Sequence, residues 1–359
     1  MRSSLGKILT LLLAIVASPV AAQEQPAKIL FGSRPQAADM RPQAIGFYSK
    51  GCMAGAQALP LDGPVWQVMR LSRNRRWGHP ELLTVIEQLA YKAKQDGWNG
   101  LLVGDMSQPR GGPMLTGHAS HQIGLDADLW FMPMPYERMS YKQREETSAI
   151  SVLAKDSFYV DDRKWTKAHE RLLFHAASFS NVQRILVHPG VKKKLCDTVT
   201  GDRKWLAKIR PYWGHHYHFH VRIFCPDGSP DCKPQNAVGS DPQCNKLDIW
   251  FDNWLKPKPP PKTPPKKKPD LTLANLPAAC RDVLEARPTD PGKSLFGVRD
   301  AAFAAPRIDM PEFDARAILG SKPIEASKAG ASELGDEPDG AGDNQPVFEI
   351  PVPTPRPAL

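Results

Sequence analysis

No two cysteines in this 359-residue chain are spaced C-x-x-C, which argues against a thiolate zinc site. After the first 22 residues no apolar stretch approaches the roughly 20 residues needed to cross a bilayer, so the mature chain is expected to lack an integral membrane segment. The first cysteine is Cys52, far beyond the N-terminal apolar run, which argues against a lipid anchor at that end. There is no internal repeat. There is also no regular alternation of strands and helices, which excludes a doubly wound parallel sheet and leaves an α+β domain with a central, mainly antiparallel sheet flanked by helices.

The N-terminus has Arg2 and Lys7, then the apolar run from Leu9 to Val16, then Val20-Ala21-Ala22. This is the layout of a secretory signal peptide covering 1–22, and the expected location is the periplasm of a Gram-negative cell. Six cysteines, an even number, in an exported chain point to three disulfides. The chain carries a formal charge of +9, of which the last sixty residues contribute −6, leaving 23–299 at +13. A basic body suits an anionic partner. Nucleic acid does not fit the compartment, whereas a carboxylate-bearing wall polymer does.

Residues 23–44 read as an extended lead-in and 45–255 as the globular domain. Within it, apolar periodicity after Pro80 predicts a helix over 80–96, ended by Gly97, and a second helix over 165–179. Strands are predicted at 100–106, 125–131, 184–187 and 217–224, the third stopped by Pro189-Gly190. KPKPPPKTPPKKKPD marks a proline- and lysine-rich segment within 256–286. Residues 287–359, rich in Pro, Ala, Gly and Asp, read as a disordered acidic tail.

Two segments concentrate the chemistry. GHASHQIGLDADLWF (117–131) and WGHHYHFHVRIF (213–224) hold six of the ten histidines: His118, His121, His215, His216, His218 and His220. On a strand, His218 and His220 leave the same face, as do Asp126 and Asp128, while Phe219 and Val221 turn to the core. A loop carrying His121 that returns into a strand can aim His121 and an aspartate at one point. Three nitrogen and oxygen ligands with one open position describe a catalytic zinc site. Spacing alone leaves Asp126 and Asp128 both eligible. His118 is a candidate ligand or supporting group, and His216 is expected to face away in a structural role. His188 reads as a loop residue. His79 and His169 occupy helical positions and carry no assigned chemistry.

H-x6-D followed by H-x-H resembles the metallopeptidase superfamily of lysostaphin-like enzymes, D-Ala-D-Ala carboxypeptidases and hedgehog domains. Together with GDMSQPRGGPM (104–114), ILVHPGVKKKLC (185–196) and HVRIFCP (220–226), the set is similar to the penicillin-insensitive murein endopeptidases over about residues 27–285. The resemblance implies a zinc ion on His121, Asp128 and His220, with His218 as general base and His215 near the substrate carbonyl. It implies the pairs Cys52–Cys280, Cys196–Cys244 and Cys225–Cys232. A second metal in such proteins would use His118, with Asp156 matching its aspartate, but Tyr159 stands where a histidine is expected. The implied substrate is the D-alanyl–diaminopimelyl cross-link of murein, and no serine is offered to a β-lactam. Two other readings remain open at this point: a carboxypeptidase trimming stem-peptide ends, and a non-catalytic wall-binding protein that keeps the zinc. The chain is compatible with a homodimer.

Overall fold

The computed structural model describes residues 24–256 and 269–296; the expected signal peptide and the acidic stretch from 297 onward lie outside them, as does most of the proline-lysine segment. Eleven strands occur among the described residues: β1 (Gln43–Phe47), β2 (Lys50–Ala54), β3 (Gln57–Ala58), β4 (Asp62–Gly63), β5 (Trp66–Val68), β6 (Trp77–Gly78), β7 (Leu101–Val103), β8 (Asp126–Pro133), β9 (Val182–Val187), β10 (Ile209–Pro211) and β11 (His218–Ile223). Seven form the central sheet in the order β10-β9-β11-β8-β7-β5-β4. The pairs β10–β9 and β5–β7 are parallel and the other four antiparallel, which is the mainly antiparallel α+β arrangement expected.

Alternation along β8 and β11 sorts their side chains. Ala127, Leu129 and Phe131 join Phe219, Val221 and Ile223 in the main core, while the aspartates and histidines between them leave the opposite face. Of the first four helices, α1 (Ala27–Gly32), α2 (Pro80–Gln95), α3 (Tyr141–Glu146) and α4 (Lys167–Ser178), α2 and α4 cover the core face. Leu82, Leu83, Val85, Ile86, Leu89, Ala90 and Ala93 of α2 are all buried, as their spacing required. Gly97 follows α2 with φ +93.

Several expectations needed revision. Pro189-Gly190 does not merely stop β9. Pro189 is the first residue of a helix, α5 (Pro189–Thr198), because proline lacks only an N–H that a first turn leaves unused. The lead-in is not extended throughout: Ala27–Gly32 form a helix. Its Ala27 and Phe31 pack with Ile45 and Ala54 and with Leu273, Leu276, Val283 and Leu284 in a second core. The globular body therefore reaches beyond 45–255 at both ends. Residues 287–296, expected to be disordered, are ordered. Asp39 N–H donates to the Arg287 carbonyl, Thr289 N–H to Ala37, and Ala58 N–H to Ser294, so 287–296 runs as paired backbone along the lead-in and β3. All three disulfides have the expected partners, and Cys52–Cys280 lies inside the second core.

His79 and His188 each cap a helix. The Nδ1 of His79 accepts from Glu81 N–H at 3.3 Å, and that of His188 accepts from Gly190 N–H at 3.0 Å. His169 works from inside its helix: its Nδ1 accepts from the Thr166 N–H at 3.1 Å in a capping box, and its Nε2–H donates to the Phe131 carbonyl at 3.0 Å. A cap that accepts through Nδ1 needs a neutral ring. Burial pushes His79 down to about 4 and His188 down to about 3, the latter helped by His216. The unfolded chain, with histidine near 6.5, binds protons first as pH falls. The stabilisation from both groups is therefore complete above about pH 6.5 and lost as pH drops toward 4 and 3. Thermal melts between pH 7.5 and 4.5 should show a falling Tm, and the double variant His79→Asn, His188→Asn, which keeps a capping side chain, should flatten that slope. An unchanged slope would refute the assignment.

Candidate metal centre and active site

The register of the sheet sets His220 directly opposite Asp128 and Arg222 opposite Asp126. The two aspartates consequently meet different partners. Asp126 is fully engaged: one oxygen accepts from Arg222 Nε at 2.7 Å and His220 Nε2 at 2.8 Å, the other from the backbone N–H of His121 at 3.1 Å. Burial opposes its charge, but Arg222 and His220 outweigh that and hold its carboxyl far below the usual range. Asp128 Oδ1, also buried, has no hydrogen-bond partner. Around it stand His220 Nδ1 at 3.2 Å, His121 Nε2 at 3.5 Å and His218 Nε2 at 3.7 Å.

The loop leading to β8 is held against its own preferences. His118 and His121 have φ of +24 and +68, a region costly for side chains with a Cβ and found where surrounding contacts enforce it. Those contacts are present. Gln122 Nε2 donates to the carbonyls of Ser49 and Ala119, Gln122 Oε1 accepts from Gly51 N–H, and Arg75 Nη2 donates to the Thr116 carbonyl. Gly124, at φ +72, makes the turn between His121 and Asp126; a Cβ there would come within 2.7 Å of Met53 Sδ. His215, at φ +56, comes from the opposite segment and places its ring 4.8 Å from His218 and 6.0 Å from His220.

These residues fit a metal ion by a test internal to the molecule. Neither ring nitrogen of His121 has a partner although the residue is completely buried, and Asp128 Oδ1 shares that condition. Leaving such groups unsatisfied costs about 1–3 kcal/mol each; a shared cation removes the penalty. Ligands about 2.0–2.1 Å from a tetrahedral zinc lie about 3.3–3.4 Å from one another, close to the 3.2 and 3.5 Å between Asp128 Oδ1 and the two imidazoles. His220, despite burial, is raised to about 9 by Asp126 and Asp128, so the cluster calls for positive charge at this point. His118, His121 and Asp128 also offer three atoms within 4.8 Å of one another. His118, however, faces the other oxygen, with Nδ1 3.5 Å from Asp128 Oδ2, and its Nε2 is 3.1 Å from Asp105.

Asp156 is not drawn into this cluster. It lies exposed, at φ +53, on the turn where Ala154 N–H meets the Tyr159 carbonyl, and Tyr159 stacks on Phe251. The second centre suggested by His118 and Asp156 is therefore not assembled; His118 instead joins Asp105 and the rim of the first. His216 lies off the cluster, its ring 6.2 Å from His188. Sequence reasoning missed Asp105, which Arg73 Nη1 and Arg75 Nη1 bind at 2.8 and 2.9 Å. Its one visible sign was a lone acid at the end of an apolar strand.

Comparison with known proteins identifies the family. The penicillin-insensitive murein endopeptidase family model matches residues 44–285. The chain belongs to this family. Murein endopeptidases of that name from Haemophilus influenzae, Yersinia pestis and Klebsiella pneumoniae are similar to it. The first is 41% identical over 249 residues, covering 69% of this chain and 84% of the relative. The others are 39% and 38% identical over 245 and 244 residues, each covering 68% of this chain and 86% of the relative. As a member of the murein endopeptidase family the protein is a peptidase, a hydrolase of amide bonds.

Within this family member the two aspartates are expected to separate by metal analysis. Purified wild type is expected to carry a divalent metal on elemental analysis, and Asp128→Ala to lack it. Asp126→Asn should keep a metal but bind it about 10–100-fold more weakly, as for other residues that orient a ligating histidine. Full metal content in Asp128→Ala would overturn the assignment of this carboxylate.

Proposed function

We propose that the protein is a zinc-dependent murein endopeptidase that cleaves the amide between D-alanine and diaminopimelate in cross-linked stem peptides, exported to the periplasm after removal of residues 1–22. The observation that carries this reading is the convergence of His121 Nε2 and His220 Nδ1 on the unpartnered Asp128 Oδ1. His121, Asp128 and His220 would hold the zinc, and Asp126 would orient His220 through its far nitrogen, the carboxylate–histidine pattern common to such ligands.

When bound, zinc supplies Lewis acidity toward a carbonyl oxygen and makes water acidic enough to attack near neutral pH. His218 stands beside the cluster with its Nδ1 buried and unpartnered. Burial lowers its pKa to about 4, so at neutral pH it is an unprotonated imidazole able to take a proton from water and return it to the leaving amine. The Nδ1–H of His215 donates to the Trp213 carbonyl, so its Nε2 can donate to the substrate carbonyl only as imidazolium. Burial, together with His218 and His220, opposes that cation; negative charge developing on the substrate favours it. No step uses a serine, so a β-lactam has no acylation target in this reaction. The +13 charge of 23–299 favours an anionic polymer as partner.

Incubating purified murein with the protein should convert cross-linked dimers to monomers by mass spectrometry, with EDTA abolishing the conversion, zinc restoring it and penicillin having no effect. His218→Ala should lower kcat about 10²–10⁴-fold with metal content retained. Intact dimers in the presence of zinc-loaded protein would sink the proposal, and loss of terminal residues from monomers alone would redirect it to carboxypeptidase activity.

A further inference from the structure

A short turn beside the cluster is shaped around arginines that the mechanism does not use. Leu71–Arg73 forms a 3-10 turn whose flanking residues, Arg70 and Asn74, are both left-handed, with φ of +55 and +50. Two strained non-glycine residues around three others are costly, and the result is that Arg70 and Arg73 are presented on the same side as the histidines. The location follows from their contacts. Arg70 lies over the ring of Trp130, 5.7 Å from its centroid, and Trp130 is the register partner of His218. Arg73 Nη1 and His118 Nε2 converge on one oxygen, Asp105 Oδ2, and His118 in turn faces Asp128. Both arginines are electrostatically coupled to Tyr217, whose ring is 4.5 Å from that of His218.

The acids near these arginines are already engaged. Arg70 and Arg73 face Asp105 and Glu145, and Arg75 faces Asp105 and Asp128, the last standing among His118, His121 and His220. Glu145 is spent on the backbone N–H and hydroxyl of Ser72. Arg75 is spent on Asp105 and Thr116. Arg73 uses only Nη1, its Nε and Nη2 making no hydrogen bond among the described residues, and its side chain is 37% exposed. Arg70 makes one long side-chain hydrogen bond, Nη1 to the Arg144 carbonyl at 3.4 Å, among the described residues. Two guanidinium groups with donors to spare, at the rim of a peptidase centre, make a fork for a carboxylate.

We infer that Arg70 and Arg73 form the subsite for the free carboxylate next to the scissile nitrogen, and so fix which amide is presented to His218. This rests on the endopeptidase reading. In the cross-link, the amine acylated by D-alanine belongs to a carbon that also bears a carboxylate, two bonds from the nitrogen. An amide lacking that group would leave the fork unfilled. The subsite thus selects cross-links over other peptide bonds and requires the carboxylate in its ionised form.

The test uses zinc-loaded full protein and two synthetic cross-linked peptides, identical except that one carries this carboxylate as its carboxamide. Wild type should cleave the carboxylate peptide with a KM about tenfold or more below that of the carboxamide, a difference that shrinks as salt rises. Arg70→Gln and Arg73→Gln should each erode the preference by raising KM for the carboxylate peptide, with little change for the carboxamide; Arg73→Lys should recover only part, lacking the fork. Circular dichroism melts and metal content confirm that each variant is folded and loaded. Equal cleavage of both peptides by wild type, or equal losses on both in the variants, overturns the subsite while leaving the endopeptidase intact. Cleavage of neither peptide overturns the endopeptidase reading and this inference with it.

Discussion

The antiparallel register between β8 and β11 is the constraint on which the site rests. It places His220 across from Asp128 and Arg222 across from Asp126, and a slip of β11 by one residue would send His220 and Arg222 into the core and bring Phe219 and Val221 out. The hydrophobic face therefore guards the polar one. Phe219, Val221, Ala127 and Leu129, all completely buried, cannot leave the core without a large loss of apolar burial. Arg222 adds a second lock, stacking on Tyr48 with its carbon 4.2 Å from the ring centroid while it grips Asp126.

This arrangement divides labour between two carboxylates only two residues apart. Asp126 is saturated with donors and holds other groups in place, orienting His220 and the backbone at His121. Asp128 is kept short of donors, which would be a defect in a structural residue and is an asset in one that meets a cation. The strained loop at His118 and His121 belongs to the same design: backbone cost is accepted where it points imidazoles at Asp128, and Gln122 and Arg75 keep the loop from relaxing.

Much of this was legible in the sequence because it is carried by short-range pattern. The alternation in 217–224 and 125–131, and the apolar stripe of α2, depend on neighbours along the chain, so the strands, the helix and the two histidine segments could be read directly. What could not be read depends on partners far away. Asp126 and Asp128 are indistinguishable by spacing; the resemblance implied Asp128, and the physical difference between them is Arg222, nearly a hundred residues on, which engages Asp126. Arg73, Arg75 and Asp105 meet through folding alone. Pro189 reads as a terminator unless one knows that His188 can cap the helix it begins. The ordered run 287–296 has the composition of a tail and gains its order from backbone pairing with Ala37, Asp39 and Ala58.

The Cys52–Cys280 bridge has a consequence for how the chain survives damage. The proline-lysine stretch at 257–268 separates the last residues of the main body from 269–296, yet both sides are fastened independently: one to the sheet, the other through the disulfide, the second core and the Lys28–Asp270 ion pair. A protease that severed the connecting stretch would produce two polypeptides but one particle. The nicked molecule would migrate as a single species until reduced and would keep the histidine and aspartate cluster in place, since none of its residues lies beyond the cut.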